Sequence, residues 1–196
     1  LRCFRALVLA ASLSAWVQNA MLAWNAPYYA RVHDLPITTI AGWLAAMNGA
    51  GAAIGITLGG QLSDRLGRRF TKGYLLAPTL GSLALGPIGY VQYALAPVTL
   101  SLVLGIVTTM LVMLYFACIV SVSHALVPSR MRAFTSAVIV LFVNLIGLGL
   151  GPLVTGIISD WLGGGADALR MALACAMLPA PVAAWLYWRA AKQLCV

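Results

Sequence analysis

Charge is what this sequence has least of: 8% of its 196 residues are Asp, Glu, Lys or Arg, and glutamate does not occur at all. A water-soluble domain carries about 25% charged residues, so a wetted globular surface is excluded. The acids are four aspartates against twelve cations, a net charge of +8. Cysteine is also scarce, and Cys3, Cys118, Cys175 and Cys195 have no metal-ligand spacing. Two fall in apolar runs and two near the basic termini, so free thiols are expected, with no bound metal and no cofactor. No signal-peptide pattern is present, because the first apolar run is too long and lacks a small-residue cleavage site. The chain opens at Leu1 instead of Met, which leads us to expect a piece of a longer protein.

What is abundant is apolar: 62% of the chain, with a mean hydropathy of +0.96. About 20 residues at 1.5 Å rise cross the roughly 30 Å hydrocarbon layer. Six runs reach that length, at about residues 4–29, 38–62, 72–93, 98–126, 133–158 and 168–188. An all-α membrane protein of six transmembrane helices is expected, with the lipid bilayer as its surroundings. Alternate connections carry the cations. One side collects Arg2, Arg5, Arg65, Arg68, Arg69, Lys72, Arg130, Arg132, Arg189 and Lys192, and the other only Arg31 and Arg170. Cytoplasmic loops gather Lys and Arg, which predicts both termini in the cytoplasm. Cations grouped at the ends of apolar runs, not along one stripe, argue against nucleic acid as a partner.

The stretch that fixes this topology is Gly60-Gln61-Leu62-Ser63-Asp64-Arg65-Leu66-Gly67-Arg68-Arg69. A charge at the bilayer centre costs about 2.5–3.5 kcal/mol even on the mildest scale, so the decapeptide is expected as a basic loop at the membrane face, with Gly67 allowing a turn. The chain also resembles itself. A shift of 96 residues aligns Asn48, Gly51, Gly55, Gly60, Ser63, Asp64, Leu66 and Gly67 with Asn144, Gly147, Gly151, Gly156, Ser159, Asp160, Leu162 and Gly163. The two copies would run through the membrane in opposite directions, so two inverted three-helix repeats are expected, as in many secondary transporters.

Gly60-x-Leu62-x-Asp64-Arg65-x-Gly67-Arg68-Arg69 resembles the loop joining the second and third helices in each half of the major facilitator superfamily. Arg130-x-Arg132-Ala133, with Asn144 through Pro152 and Gly156-x-x-Ser159-Asp160, is similar to that superfamily's eleventh helix. Trp24-x-x-Pro27-Tyr28 with Arg31-Val32-His33 resembles the outer end of its seventh, in wording nearest the spinster-like and organic-anion branches. The resemblance covers the whole chain and implies the C-terminal half, helices seven to twelve, of a secondary active transporter of the symporter class. It further implies a small-molecule substrate, a missing N-terminal half as partner, a bacterial inner-membrane location, and alternating access. By the same resemblance, Gly60, Asp64, Arg65, Gly67, Arg68 and Arg69 form a gating loop. Asp64 meets a helix N-terminus of the other half, and the cations hold the inner gate. The alternative is a six-helix scaffold or partner-binding protein without transport; a homodimeric half-transporter is a third reading.

Polar residues deep in the spans are the candidates for a substrate cavity: Gln18, Asn19, Asn25 and Tyr28 on the first, Asn48 on the second, Tyr115 on the fourth and Asn144 on the fifth. Interhelical hydrogen bonding, worth about 0.6 kcal/mol on average, is the competing explanation. No titratable group lies deep in any span, so a proton-coupling group would belong to the other half. His124 is expected to be interfacial or capping. No catalytic residue is expected. Gly147-x-Gly149-x-Gly151 follows no strand and reads as close packing, with Pro152 adding a bend. Ser82 and His124 differ by about 10 Å in depth, beyond a hydrogen bond.

Overall fold

A computed structural model describes residues 2–69 and 71–193, without the side chains of Arg2, Thr71 and Lys72; Cys195 lies outside the described residues. Six helices are long and apolar enough to cross a membrane: Cys3–Val32, Ile37–Arg69, Gly73–Leu95, Val98–Ala125, Ser129–Trp161 and Ala166–Gln193. Proline sets three of their starts. Pro36, Pro97 and Pro128 lie just ahead of the second, fourth and fifth helices in extended conformation, with ψ between 144° and 163°. Lacking an N–H, a proline there leaves no donor unpaired, and its carbonyl takes the first bonds of the helix: Thr39 and Ile40 donate to Pro36, Ser101 to Pro97 and Met131 to Pro128.

The packing repeats itself. The second helix lies along the fourth and the fifth along the first; the sixth packs on the first as the third packs on the fourth. Exchanging first with fourth, second with fifth and third with sixth maps this set of contacts onto itself, the relation two inverted three-helix repeats produce. Glycines make the closest of these contacts. A Cβ on Gly55 would strike the carbonyl oxygen of Met110 on the fourth helix; on its repeat mate Gly151 it would lie 2.7 Å from the carbonyl oxygen of Trp16 on the first.

Three helices widen into π turns, with i→i+5 bonding, over Met47–Gly51, Val91–Leu95 and Val143–Leu150. The first and third are repeat mates, since 96 residues separate Met47 from Val143, and they hold Asn48 and Asn144. The second and fifth helices are also the least covered. Only 22% and 17% of an apolar 18-residue stretch in each is buried, against 50–61% in the other four.

One expectation is corrected. The basic decapeptide is not a loop: the second helix continues through Arg69, and Gly67 is helical. Gly67 is needed because the ring of Tyr74 lies where its Cβ would be. Ser63 pins the same corner, donating to the Tyr74 carbonyl at 2.9 Å and sitting 2.8 Å from the Cys118 sulfur. In the repeat mate the turn is real: Gly163 and Gly164 have φ of 102° and 69°. Cys3, Cys118 and Cys175 are free thiols.

Candidate functional site: a cavity between the first, second and fourth helices

A cavity of about 360 Å³ opens between three helices, each contributing one face at helical spacing. The first supplies Gln18, Met21, Leu22 and Asn25, the second Asn48, Ala52 and Ile56, the fourth Thr109, Val112, Met113 and Phe116. Its size is that of a small-molecule site. Exposed Leu22, Phe116 and Asn48 stand at its open side. No charged side chain lines it among the described residues, so what it offers is amides, a hydroxyl, methionine and an aromatic ring. Met and Phe adapt to irregular apolar surfaces, while the amides fix orientation.

The amides are held from behind. Tyr115 donates to Gln18 Oε1 at 3.2 Å, and Tyr93 donates to Asn25 Oδ1 at 2.7 Å. With its oxygen engaged, Asn25 keeps its NH2 donors for the cavity. Tyr93 belongs to a buried polar cluster at the end of the bundle where the first helix finishes. Thr108 donates to Gln92 Oε1 at 2.7 Å, and Tyr29 donates to the Ser101 carbonyl at 3.0 Å. Tyr28 donates to the carbonyls of Gln92 and Tyr93, at 3.4 and 3.3 Å, in the widened turn of the third helix. A π turn leaves carbonyls imperfectly paired, and the tyrosine hydroxyl meets that need.

His33 closes the cluster, its Nε2 3.2 Å from the Tyr28 hydroxyl. The direction of this bond follows the imidazole tautomer, Nε2 donating when it carries the ring proton and accepting from the Tyr28 hydroxyl when it does not. Its ring also stacks on Tyr29, centroids 6.0 Å apart. Burial, and then the positive charge of Arg170, lower the His33 pKa below its ordinary 6.5. A lowered folded-state value means that stability is full above about pH 6.5 and is lost as pH falls through the lower value. Thermal unfolding in detergent should therefore show a midpoint that declines on acidification from pH 7 towards pH 5. A His33→Gln variant should decline less; an identical pH profile for the two would exclude His33 as the source.

Sequence reasoning reached the cavity's polar residues in part. Gln18, Asn25 and Asn48 come together in it. Tyr115 lies behind the wall, buried, and Tyr28 is fully buried in the polar cluster with Tyr93. Asn19 turns away and donates to the Ala15 carbonyl of its own helix at 2.8 Å. Asn144 is exposed on the fifth helix and does not line this cavity. Asp64, Arg65, Arg68 and Arg69 are exposed near the end of the second helix, and Gly60 packs toward Ala117 of the fourth. His124, at the last turn of the fourth helix, bonds Ser136 at 2.7 Å. Thr109, Gln92 and Thr108 were missed. Gln92 is an uncharged polar residue in an apolar run, the same signal that marked Gln18, but its place near a span end hid it.

No protein-family model matches the chain, and no curated protein matches it in sequence. Solved structures do. A bacterial homolog of the human lysosomal transporter spinster, inward-facing and occupied, is 27% identical with a TM-score of 0.88, over 97% of this chain and 49% of its own. A bacterial homolog of that transporter in an inward-facing, unoccupied conformation is 26% identical with a TM-score of 0.87, over 97% of this chain and 47% of its own. The chain thus spans about half the length of the transporters it matches. The class is an integral membrane protein with a transporter fold. Within that class the chain has the fold of the major facilitator superfamily, with bacterial spinster homologs as its structural neighbours.

Proposed function

We propose that this chain is the C-terminal half of a secondary active transporter that moves a small organic solute by alternating access. The observation that carries the proposal is the cavity: three converging helix stripes with Gln18, Asn25, Asn48 and Thr109 among Met21, Met113 and Phe116. The N-terminal half covers the second and fifth helices, the two left least buried. The substrate contacts neutral donors and apolar surface here, and any charge it carries is met by the other half. A coupling proton or ion, for symport, is likewise bound there, since this cavity has no titratable wall. The ten cations at the termini's end of the bundle favour a cytoplasmic location for both termini, in a bacterial inner membrane.

Uptake assays with the complete transporter in vesicles, against organic anions, sugars, drugs and lipids with and without a pH gradient, identify the substrate. Gln18→Leu and Asn48→Leu should then raise KM or lower uptake by about tenfold, the cost of leaving a polar substrate group unpaired. Unchanged uptake in both, at equal membrane levels, would remove this cavity from the transport path.

A further inference from the structure

The first and sixth helices enclose a second cavity, of about 290 Å³, at the end of the bundle where the first begins and the sixth ends. It shares no residue with the cavity described above. Its walls are Arg5, Ala6, Leu9, Leu186, Arg189 and Gln193. We propose that it binds the phosphate headgroup of an anionic phospholipid.

Arg5 and Arg189 line one space with no Asp or Glu among its lining residues, and the sequence has no acid before Asp34 and none after Asp167. A guanidinium binds phosphate through paired N–H donors. Gln193 adds a side-chain amide to the same wall. The surroundings give the depth. Arg189 lies 5.3 Å from the Trp185 ring and Lys192 5.1 Å from the Trp188 ring, and both tryptophans are exposed. Exposed tryptophan beside cations marks the headgroup level of a bilayer. About one helical turn deeper than Arg5 and Arg189, Leu9 and Leu186 line the same cleft, where an acyl chain leaves the headgroup. Basic pockets between helices at a membrane face suit anionic lipid. The inference requires a membrane-embedded chain but does not depend on transport.

The test is native mass spectrometry of the full chain in mild detergent, with phosphatidylglycerol, phosphatidylcholine or glycerol phosphate added. The wild type should retain one phosphatidylglycerol well above phosphatidylcholine. In R5Q/R189Q this retention should fall about tenfold, as expected for losing charge-assisted bonds to phosphate. R5K/R189K keeps the charges and the packing of the stems and should retain part of the binding. R68Q/R69Q, which removes exposed cations at the end of the second helix, should leave it unchanged. Equal retention of the two lipids by the wild type overturns the proposal without reference to any variant. So does equal loss in R68Q/R69Q, or unchanged binding in R5Q/R189Q. Displacement of the lipid by glycerol phosphate at equal concentration assigns the site to a soluble phosphate and overturns it as well.

Discussion

A leucine in place of Gly55 should lower the thermal unfolding midpoint in detergent by about 10 °C, or prevent recovery of folded protein. Overpacking a tight contact costs about 1–3 kcal/mol, and each kcal/mol moves the midpoint of a chain this size by about 2–4 °C. The upper end applies here because the obstacle is rigid. The new Cβ would meet the Met110 carbonyl oxygen and lie 2.8 Å from Met113 Cβ, and a backbone oxygen in the middle of a helix cannot step aside. Relief requires the second helix to move off the fourth, which also opens the cavity wall formed by Ala52, Ile56 and Thr109. Gly42→Leu in the same helix is the control, since nothing lies within 4 Å of where its Cβ would be. Equal midpoints for the two variants would show that the contact at Gly55 is looser than the structure has it.

The second large effect concerns Asp64. In the intact transporter, Asp64→Asn should reduce uptake about tenfold while leaving insertion and membrane level unchanged. Asp64 is exposed near the end of the second helix, and its proposed partner is a helix N-terminus of the other half, where a negative charge is favoured. About tenfold corresponds to 1.4 kcal/mol, within reach of one such contact in a partly buried setting. Asp160→Asn, at the repeat mate, should change uptake little. Normal uptake by the Asp64 variant at matched expression would exclude a gating role.

The sequence-level reading succeeded where one property decides structure. Crossing hydrocarbon takes length and apolarity, both visible in the chain, so the six helices could be counted. Gly55 and Gly151 could be matched by spacing, because close helix approach admits little besides glycine. The reasons behind matched glycines were not visible. Gly67 and Gly163 align, yet one sits under the Tyr74 ring in a helix and the other turns the chain with positive φ. The cavity was legible through amides deep in apolar runs. Thr109 and Phe116 carry no such mark, because threonine and phenylalanine also serve ordinary packing, and only the fourth helix's rotation turns them inward. Asn19 was expected beside the stripe of Gln18, Asn25 and Tyr28, and since neighbouring residues on a helix point about 100° apart it faces its own helix instead.

The mirrored wide turns at Met47–Gly51 and Val143–Leu150 have a mechanical consequence. An i→i+5 turn holds its carbonyls and amides in looser register than the α turns around it, so bending stiffness drops there first. The two most exposed helices therefore have their compliant points in the interior, away from their anchored ends, and at positions the internal symmetry exchanges. Strain applied across that uncovered surface flexes both rods, and the glycine contacts at Gly55, four residues past the first wide turn, and Gly151, directly after the second, are the fulcrums.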